Sequence, residues 1–99
     1  TFIMVTGDGG MDIGMGAALG TAHRNHKMII LEYDNQGYMN TGSQLSYSTP
    51  SGHRTSTSEV GNNLSGKRFH HKDTPQIFAA CNLTYVFTAS EGYPEDFMR

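Results

Sequence analysis

The chain has 99 residues, a formal net charge of −2 and only 16% charged side chains. That length holds at most one small domain, and so few charges argue against a coiled coil or a basic nucleic-acid module. No run of about 18 apolar residues exists, so no membrane-spanning helix is expected, and a single cysteine, Cys81, excludes an internal disulfide framework and a four-cysteine metal site.

In chain order, residues 2–6 form a short continuous apolar run that stops at Thr6-Gly7, the pattern of a buried parallel strand. The opening Thr1 and the abrupt apolar start, with Arg99 following Pro94-Glu95-Asp96, read as a piece of a longer protein. Residues 12–25 mix apolar and small side chains and are expected to be helical, with the Asp12 carboxylate as the cap. Gly14, Gly16 and Gly20 each weaken such a helix by about 1 kcal/mol relative to alanine, which points to a close approach of something to its backbone. For Gly16 and Gly20 the expected neighbour is a partner subunit or domain.

Met28 to Tyr33 reads as a second buried strand. A polar tract follows over 34–72, too long for a structureless loop in a small domain, so it is either functional or contains short helices. Thr74-Pro75 opens a helix with threonine at the cap, running to about Asn82. Leu83 to Thr88 is expected to be a third strand, and Pro94 to open a last short helix. The order predicts an α/β domain, a parallel sheet with helices on both faces, filling residues 1–99 as part of a larger domain.

The first strand runs into Gly7-Asp8-Gly9-Gly10 and the second into Asp34-Asn35-Gln36-Gly37. The intervening 24 residues suffice for one helix and one strand, so both turns emerge at the same carboxyl edge, where α/β sheets bind ligands. The glycines allow a bulky anion to approach the backbone, and the helix start aims free amides and a positive dipole end at it. Asp8 offers a carboxylate oxygen, Asn35 an amide oxygen and the Gly37 region a carbonyl. Magnesium takes such oxygen ligands and shares them with phosphate groups. The ensemble reads as a diphosphate–magnesium site.

Gly7-Asp8-Gly9, the 24-residue gap and Asp34-Asn35 resemble the cofactor motif of thiamine diphosphate-dependent enzymes, with Asp34 where the motif usually has asparagine. Tyr38-Met39-Asn40-Thr41-Gly42-Ser43-Gln44, with Ser46, Ser48-Thr49-Pro50 and Gly52, is similar more narrowly to the 2-oxoacid:ferredoxin oxidoreductases of the pyruvate synthase type, in the thiamine-binding domain of their β subunit. Asp12-Ile13-Gly14 fits the same family. The resemblance is strongest over residues 6–58 and continues to about 97. It implies a thiamine diphosphate-binding fold in which Asp8 and Asn35 hold Mg2+ by side chain and Gly37 by its carbonyl. Gly9 and Gly10 would hold the diphosphate by their amides, Gly7, Asp12 and Thr41 would complete the cofactor-binding set, and Asn40 would be the catalytic residue beside the 2-oxoacid, with Gln44 in the same loop.

The reaction so implied is oxidative decarboxylation of a pyruvate-like 2-oxoacid to an acyl-coenzyme A, with electrons passed through iron–sulfur clusters to ferredoxin. The implied partners are the other subunits or domains, including the one that binds the pyrimidine ring and carries its activating glutamate. No cluster-binding cysteine set is present, so the clusters would lie in other parts of the assembly. His53-Arg54 stands where a smaller residue and a variable one are expected. Nucleic acid and membrane are not expected partners, and the lone cysteine fits a reducing, cytoplasmic location.

Other readings carry less. A non-oxidative thiamine decarboxylase or carboligase would share the first motif but not residues 38–52. A non-catalytic nucleotide-binding module meets Asp12 where the third glycine of a dinucleotide fingerprint belongs. Gly61 to Lys67 has phosphate-loop spacing, with Arg68 in place of the required hydroxyl residue and no strand before it. His23, His26, His70 and His71 lack further zinc-ligand partners at the right spacing. Arg54, Lys67 and Arg68 are expected to be solvated loop charges. Asn63-Leu64-Ser65 and Asn82-Leu83-Thr84 are chance glycosylation sequons, and Cys81 and most methionines are expected to fill the core.

Overall fold

The computed structural model describes residues 1–58 and 67–99. Strand β1 (Phe2–Gly7) leads directly into helix α1 (Asp8–His23), and strand β2 (Met28–Tyr33) returns beside β1. The strands pair in parallel from Phe2 opposite Met28 to Gly7 opposite Tyr33, so they end flush. Both following turns therefore start at one sheet edge, as the spacing predicted.

Helix α1 begins four residues earlier than expected. Its N-cap is Gly7, in an extended conformation and without a side-chain cap bond, so Asp12 lies inside the helix and does not cap it. The first turn is Asp8-Gly9-Gly10, which places the glycines on the amides that no helix pairs internally. The helix stops where Asn25 takes a left-handed backbone (φ 53°), with its N–H donating to the Ala22 carbonyl at 2.9 Å.

Helix α2 (Thr74–Ala79) is capped by Asp73 and not by Thr74: the Asp73 carboxylate accepts from the Gln76 N–H at 3.1 Å and from its side-chain amide at 2.9 Å. Pro75 sits in the first turn as expected. The helix ends before Asn82, which is again left-handed at φ 59°. Helix α3 (Pro94–Phe97) is a single turn.

The expected third strand at 83–88 does not form. The described residues make a two-stranded sheet, β1 with β2. Tyr85 and Phe87 stack at 6.2 Å between ring centroids, yet both are exposed. Without a neighbouring ladder to pair its amides, an apolar segment stays an unpaired stretch of chain.

The core gathers Met11 and Ala22 of α1 with Phe78 of α2, backed by Met15, Ala18, Leu19, Ile30, Cys81 and Leu83. Cys81 is half-buried, and its thiol points at the Ile77 carbonyl at 3.8 Å. Methionines are mixed: Met11 is core, whereas Met39 and Met98 are exposed. The fold is thus α/β with a parallel sheet, but only one sheet face carries core. Ile3, Val5, Ile29, Leu31 and Tyr33 lie exposed on the other, where no described helix packs. No described helix is long and apolar enough to cross a membrane.

The described parts of the polar tract, 34–58 and 67–72, hold compact turns and buried hydroxyl side chains. A 3-10 turn spans Met39–Thr41, and isolated bridges join Tyr38 to Gln44 and Thr55 to Ser58. Ser46, Ser48 and Thr49 are buried, with Thr49 Oγ1 accepting from the Ser46 N–H at 3.0 Å and donating to the Gln36 carbonyl at 2.7 Å. Short hydroxyl side chains here do the backbone pairing that a ladder does elsewhere. The phosphate-loop-like segment from Gly61 and the sequon at Asn63 lie outside the described residues, with only Lys67 inside them.

Nothing lies within 4 Å of a Cβ built on Gly14 or Gly16. Among the described residues no close contact requires those two glycines. Gly16→Ala is expected to raise stability by roughly 1 kcal/mol through helix propensity alone, read as a higher denaturation midpoint. A loss of stability in the assembled protein would locate a packed neighbour there.

Candidate functional site

The site is built from the two turns at the flush strand ends. Gly9 and Gly10 are not interchangeable with larger residues. A Cβ on Gly9 would sit 2.8 Å from the Tyr38 ring, and one on Gly10 would collide with Thr6 Oγ1. Gly9 and Gly10 are therefore packed against directly, by the Tyr38 ring and the Thr6 hydroxyl, and the first turn of α1 has no room for side chains at these two positions.

Asp8 is 2% exposed, and its Oδ2 has no hydrogen-bond partner among the described residues. Asn35, from the second turn, faces it. With its nitrogen inward, Asn35 donates to the Gly37 carbonyl at 2.6 Å and to Asp8 Oδ1 at 3.2 Å. With its oxygen inward, the same positions would set three oxygens of Asp8, Asn35 and Gly37 against one another, an arrangement that only a cation between them would favour. The sequence-predicted trio thus converges on one point. The described residues hold no cluster of three His, Cys, Asp or Glu suited to a metal.

Asp34 stands apart from that trio. Its Oδ1 accepts from the Gln36 N–H at 2.8 Å, closing a local turn in which Gln36 is left-handed at φ 65°. Aspartate and asparagine both supply that acceptor, so the departure from the usual motif leaves the turn intact.

The loop after it carries Asn40 at an exposed position in the 3-10 turn. The Tyr38 N–H donates to the Gln44 carbonyl at 3.0 Å, and the Ser43 N–H to the Tyr38 carbonyl at 2.9 Å. Thr41 and Gln44 lock each other: the Thr41 hydroxyl donates to Gln44 Oε1 at 2.7 Å, and the Gln44 amide donates to the Thr41 carbonyl at 2.8 Å. Thr41 thereby shapes the loop that displays Asn40.

Asp12 has both carboxylate oxygens engaged within the protein. Its Oδ2 accepts from the Tyr38 hydroxyl at 2.9 Å and the Tyr47 N–H at 3.0 Å, and its Oδ1 from Lys72 Nζ at 2.5 Å. Lys72 also pairs with Glu32 Oε1 at 3.1 Å. Burial alone would lower the Lys72 pKa, but the bonds to Asp12 and Glu32 outweigh it and hold the ammonium above the usual lysine value. Burial, followed by the hydrogen bond to Asp12, pushes the Tyr38 phenol up to about 12. Both groups are fixed as donors at neutral pH.

Lys67 corrects another expectation. It is 4% exposed, not a solvated loop charge, and its Nζ donates to the carbonyls of Tyr47 at 2.7 Å and Thr49 at 2.5 Å. Burial lowers its pKa. Arg54 is exposed. No local signal marks Lys67 or Lys72, because each finds its partners across 18 or more residues of chain.

The whole chain, residues 1–99, matches the family of the thiamine pyrophosphate enzyme, C-terminal TPP binding domain, and belongs to it. Among characterised relatives, the chain is 48% identical over 97% of its length to pyruvate synthase subunit PorB of Methanothermobacter thermautotrophicus, covering 34% of that protein. It is 47% identical over 98% of its length to the PorB subunit of Methanocaldococcus jannaschii, covering 33% of it, and 44% identical over 94% to ketoisovalerate oxidoreductase subunit VorB of Pyrococcus horikoshii, covering 30% of it. The chain thus spans about a third of the length of these relatives.

Proposed function

We propose that this segment forms the diphosphate- and metal-binding part of a thiamine diphosphate site in a 2-oxoacid oxidoreductase. The observation that carries the proposal is the convergence of Asp8, Asn35 and the Gly37 carbonyl, with Asp8 Oδ2 buried and unpartnered among the described residues, beside the glycine-bearing first turn of α1. A hard cation satisfies that donor set, and a diphosphate satisfies the helix start.

In this reading Asp8 and Asn35 hold Mg2+ by side-chain oxygens and Gly37 by its carbonyl, while the Gly9 and Gly10 amides hold the diphosphate. When bound, thiamine diphosphate supplies an electron sink for the carbon that loses carboxylate. Asn40, displayed on the loop after the second turn, would be the polar contact for the 2-oxoacid. Thr41 and Gln44 keep that loop in shape, and Tyr38 covers the first helical turn.

The names of the relatives support pyruvate or another short 2-oxoacid as substrate and a multi-subunit enzyme as the setting. Acyl transfer to coenzyme A, electron transfer to ferredoxin through iron–sulfur clusters held elsewhere in the assembly, and a cytoplasmic location complete the reading.

Titration calorimetry on the full-length protein tests it. Thiamine diphosphate is expected to bind in the presence of Mg2+ and to lose that binding when the metal is chelated, while NAD and ATP give no comparable heat. Binding of ATP or NAD in place of thiamine diphosphate would overturn the assignment.

A further inference from the structure

We infer that Lys72 is a positioning residue for this site, acting through Asp12 to hold Tyr38, and with it the Asn40 loop, against the first turn of α1. The inference rests on the thiamine diphosphate reading above and extends it to a residue 64 positions from Asp8 in the chain.

Lys72 joins three parts of the molecule. Its Nζ reaches Asp12 and the Asp8 carbonyl (3.5 Å) on α1, and Glu32 on β2. Its own N–H donates to the Tyr47 carbonyl at 2.8 Å. The Asp12 and Glu32 side chains are 2% and 13% exposed, so the ammonium is what allows two carboxylates to sit so close in a poorly hydrated place. Held this way, Asp12 keeps its second oxygen for the Tyr38 hydroxyl and the Tyr47 N–H. Tyr38 then does two things. Its ring closes over Gly9, and its carbonyl and N–H staple the loop that carries Asn40. Released from Lys72, Asp12 would be repelled by Glu32 and drawn toward water, and Tyr38 would lose its anchor.

The test uses Lys72→Met, Tyr38→Phe and the double variant in the full-length protein. Tyr38→Phe deletes one oxygen and leaves the Lys72–Asp12–Glu32 cluster whole. Two quantities are read: amide hydrogen exchange in the metal- and cofactor-free protein, and thiamine diphosphate affinity at saturating Mg2+. Both single variants are expected to speed exchange over residues 38–47; with Tyr38→Phe, β1 and β2 exchange as in the unmodified protein, whereas Lys72→Met, which leaves Glu32 unpaired, speeds exchange in β2 as well. Both should weaken cofactor affinity by roughly tenfold. The double variant should bind no more weakly than Lys72→Met, because both changes break one linkage.

A loosened loop with unchanged affinity would overturn the positioning role, as would additive losses in the double variant. If Lys72→Met does not fold, Tyr38→Phe decides alone: wild-type affinity overturns the inference and a tenfold loss supports it. Failure of the unmodified protein to bind thiamine diphosphate would overturn the site itself. That failure is recognised because it precedes any substitution.

Discussion

Asp8→Asn is expected to separate folding from ligand binding in opposite directions. The carboxylate is buried with one oxygen unpartnered, so in the empty protein it is a charge held without full compensation. A neutral amide of the same shape removes that penalty, and stability should hold or rise by about 1 kcal/mol. The same change removes the anionic oxygen on which the proposed metal depends. Affinity for thiamine diphosphate with Mg2+ should fall by at least about 100-fold, the range in which one charged metal ligand contributes. Thermal denaturation of the cofactor-free protein and calorimetric titration read the two effects side by side. A variant that is destabilised by several kcal/mol yet still binds the cofactor would show that Asp8 serves the fold and not a metal.

Asp12→Ala should be the most damaging single change to the described fold. It leaves Lys72 with Glu32 alone and strips the Tyr38 hydroxyl and the Tyr47 N–H of their acceptor. Removing one member of such a buried charged network costs about 3–5 kcal/mol. Urea denaturation of the full-length protein should show that loss in the transition that includes this domain. Asp12→Asn keeps one acceptor oxygen and should lose about half as much. A loss below about 1 kcal/mol for the alanine variant would mean that the network adds little to the fold.

The sequence disclosed the part of this site that is local. Two glycine-bearing turns at the ends of two apolar runs specify their own geometry, and the separation of Gly9 from Asp34 places both on one edge. The spacing therefore brings Asp8, Asn35 and Gly37 to one edge, and the flush register of β1 and β2 bears out that shared edge. Errors cluster where an acidic side chain had two possible uses. Asp12 has the right chemistry for a helix cap, but the chain turns helical as soon as Gly7 permits, and the carboxylate is free to serve Lys72 and Tyr38 instead. At α2 the cap lies one residue ahead of Thr74, because Asp73 reaches the Gln76 N–H.

The missing information is long-range. Lys67 and Lys72 look like any solvated lysine in a polar tract, and only folding brings carbonyls and carboxylates around them. Residues 83–88 show the converse. Apolar content and β-branched character describe a willingness to pair, but an actual strand also needs an adjacent backbone, and the described sheet stops at β2.

The level ends of the two strands also act as a gauge. The gap between the turn bearing Asp8 and the turn bearing Asn35 is fixed by the lateral spacing of paired strands, about 4.8 Å, and owes nothing to the length of the helix that connects them. Lengthening or shortening the outer end of α1, or the link at residues 24–27, leaves that gap unaltered. Deleting one residue inside either strand would withdraw one of the two converging groups by about 3.3 Å and reverse the direction of its neighbours. Changes of length are therefore cheap at the outer end of α1 and in the link after it, and expensive within the twelve residues of ladder.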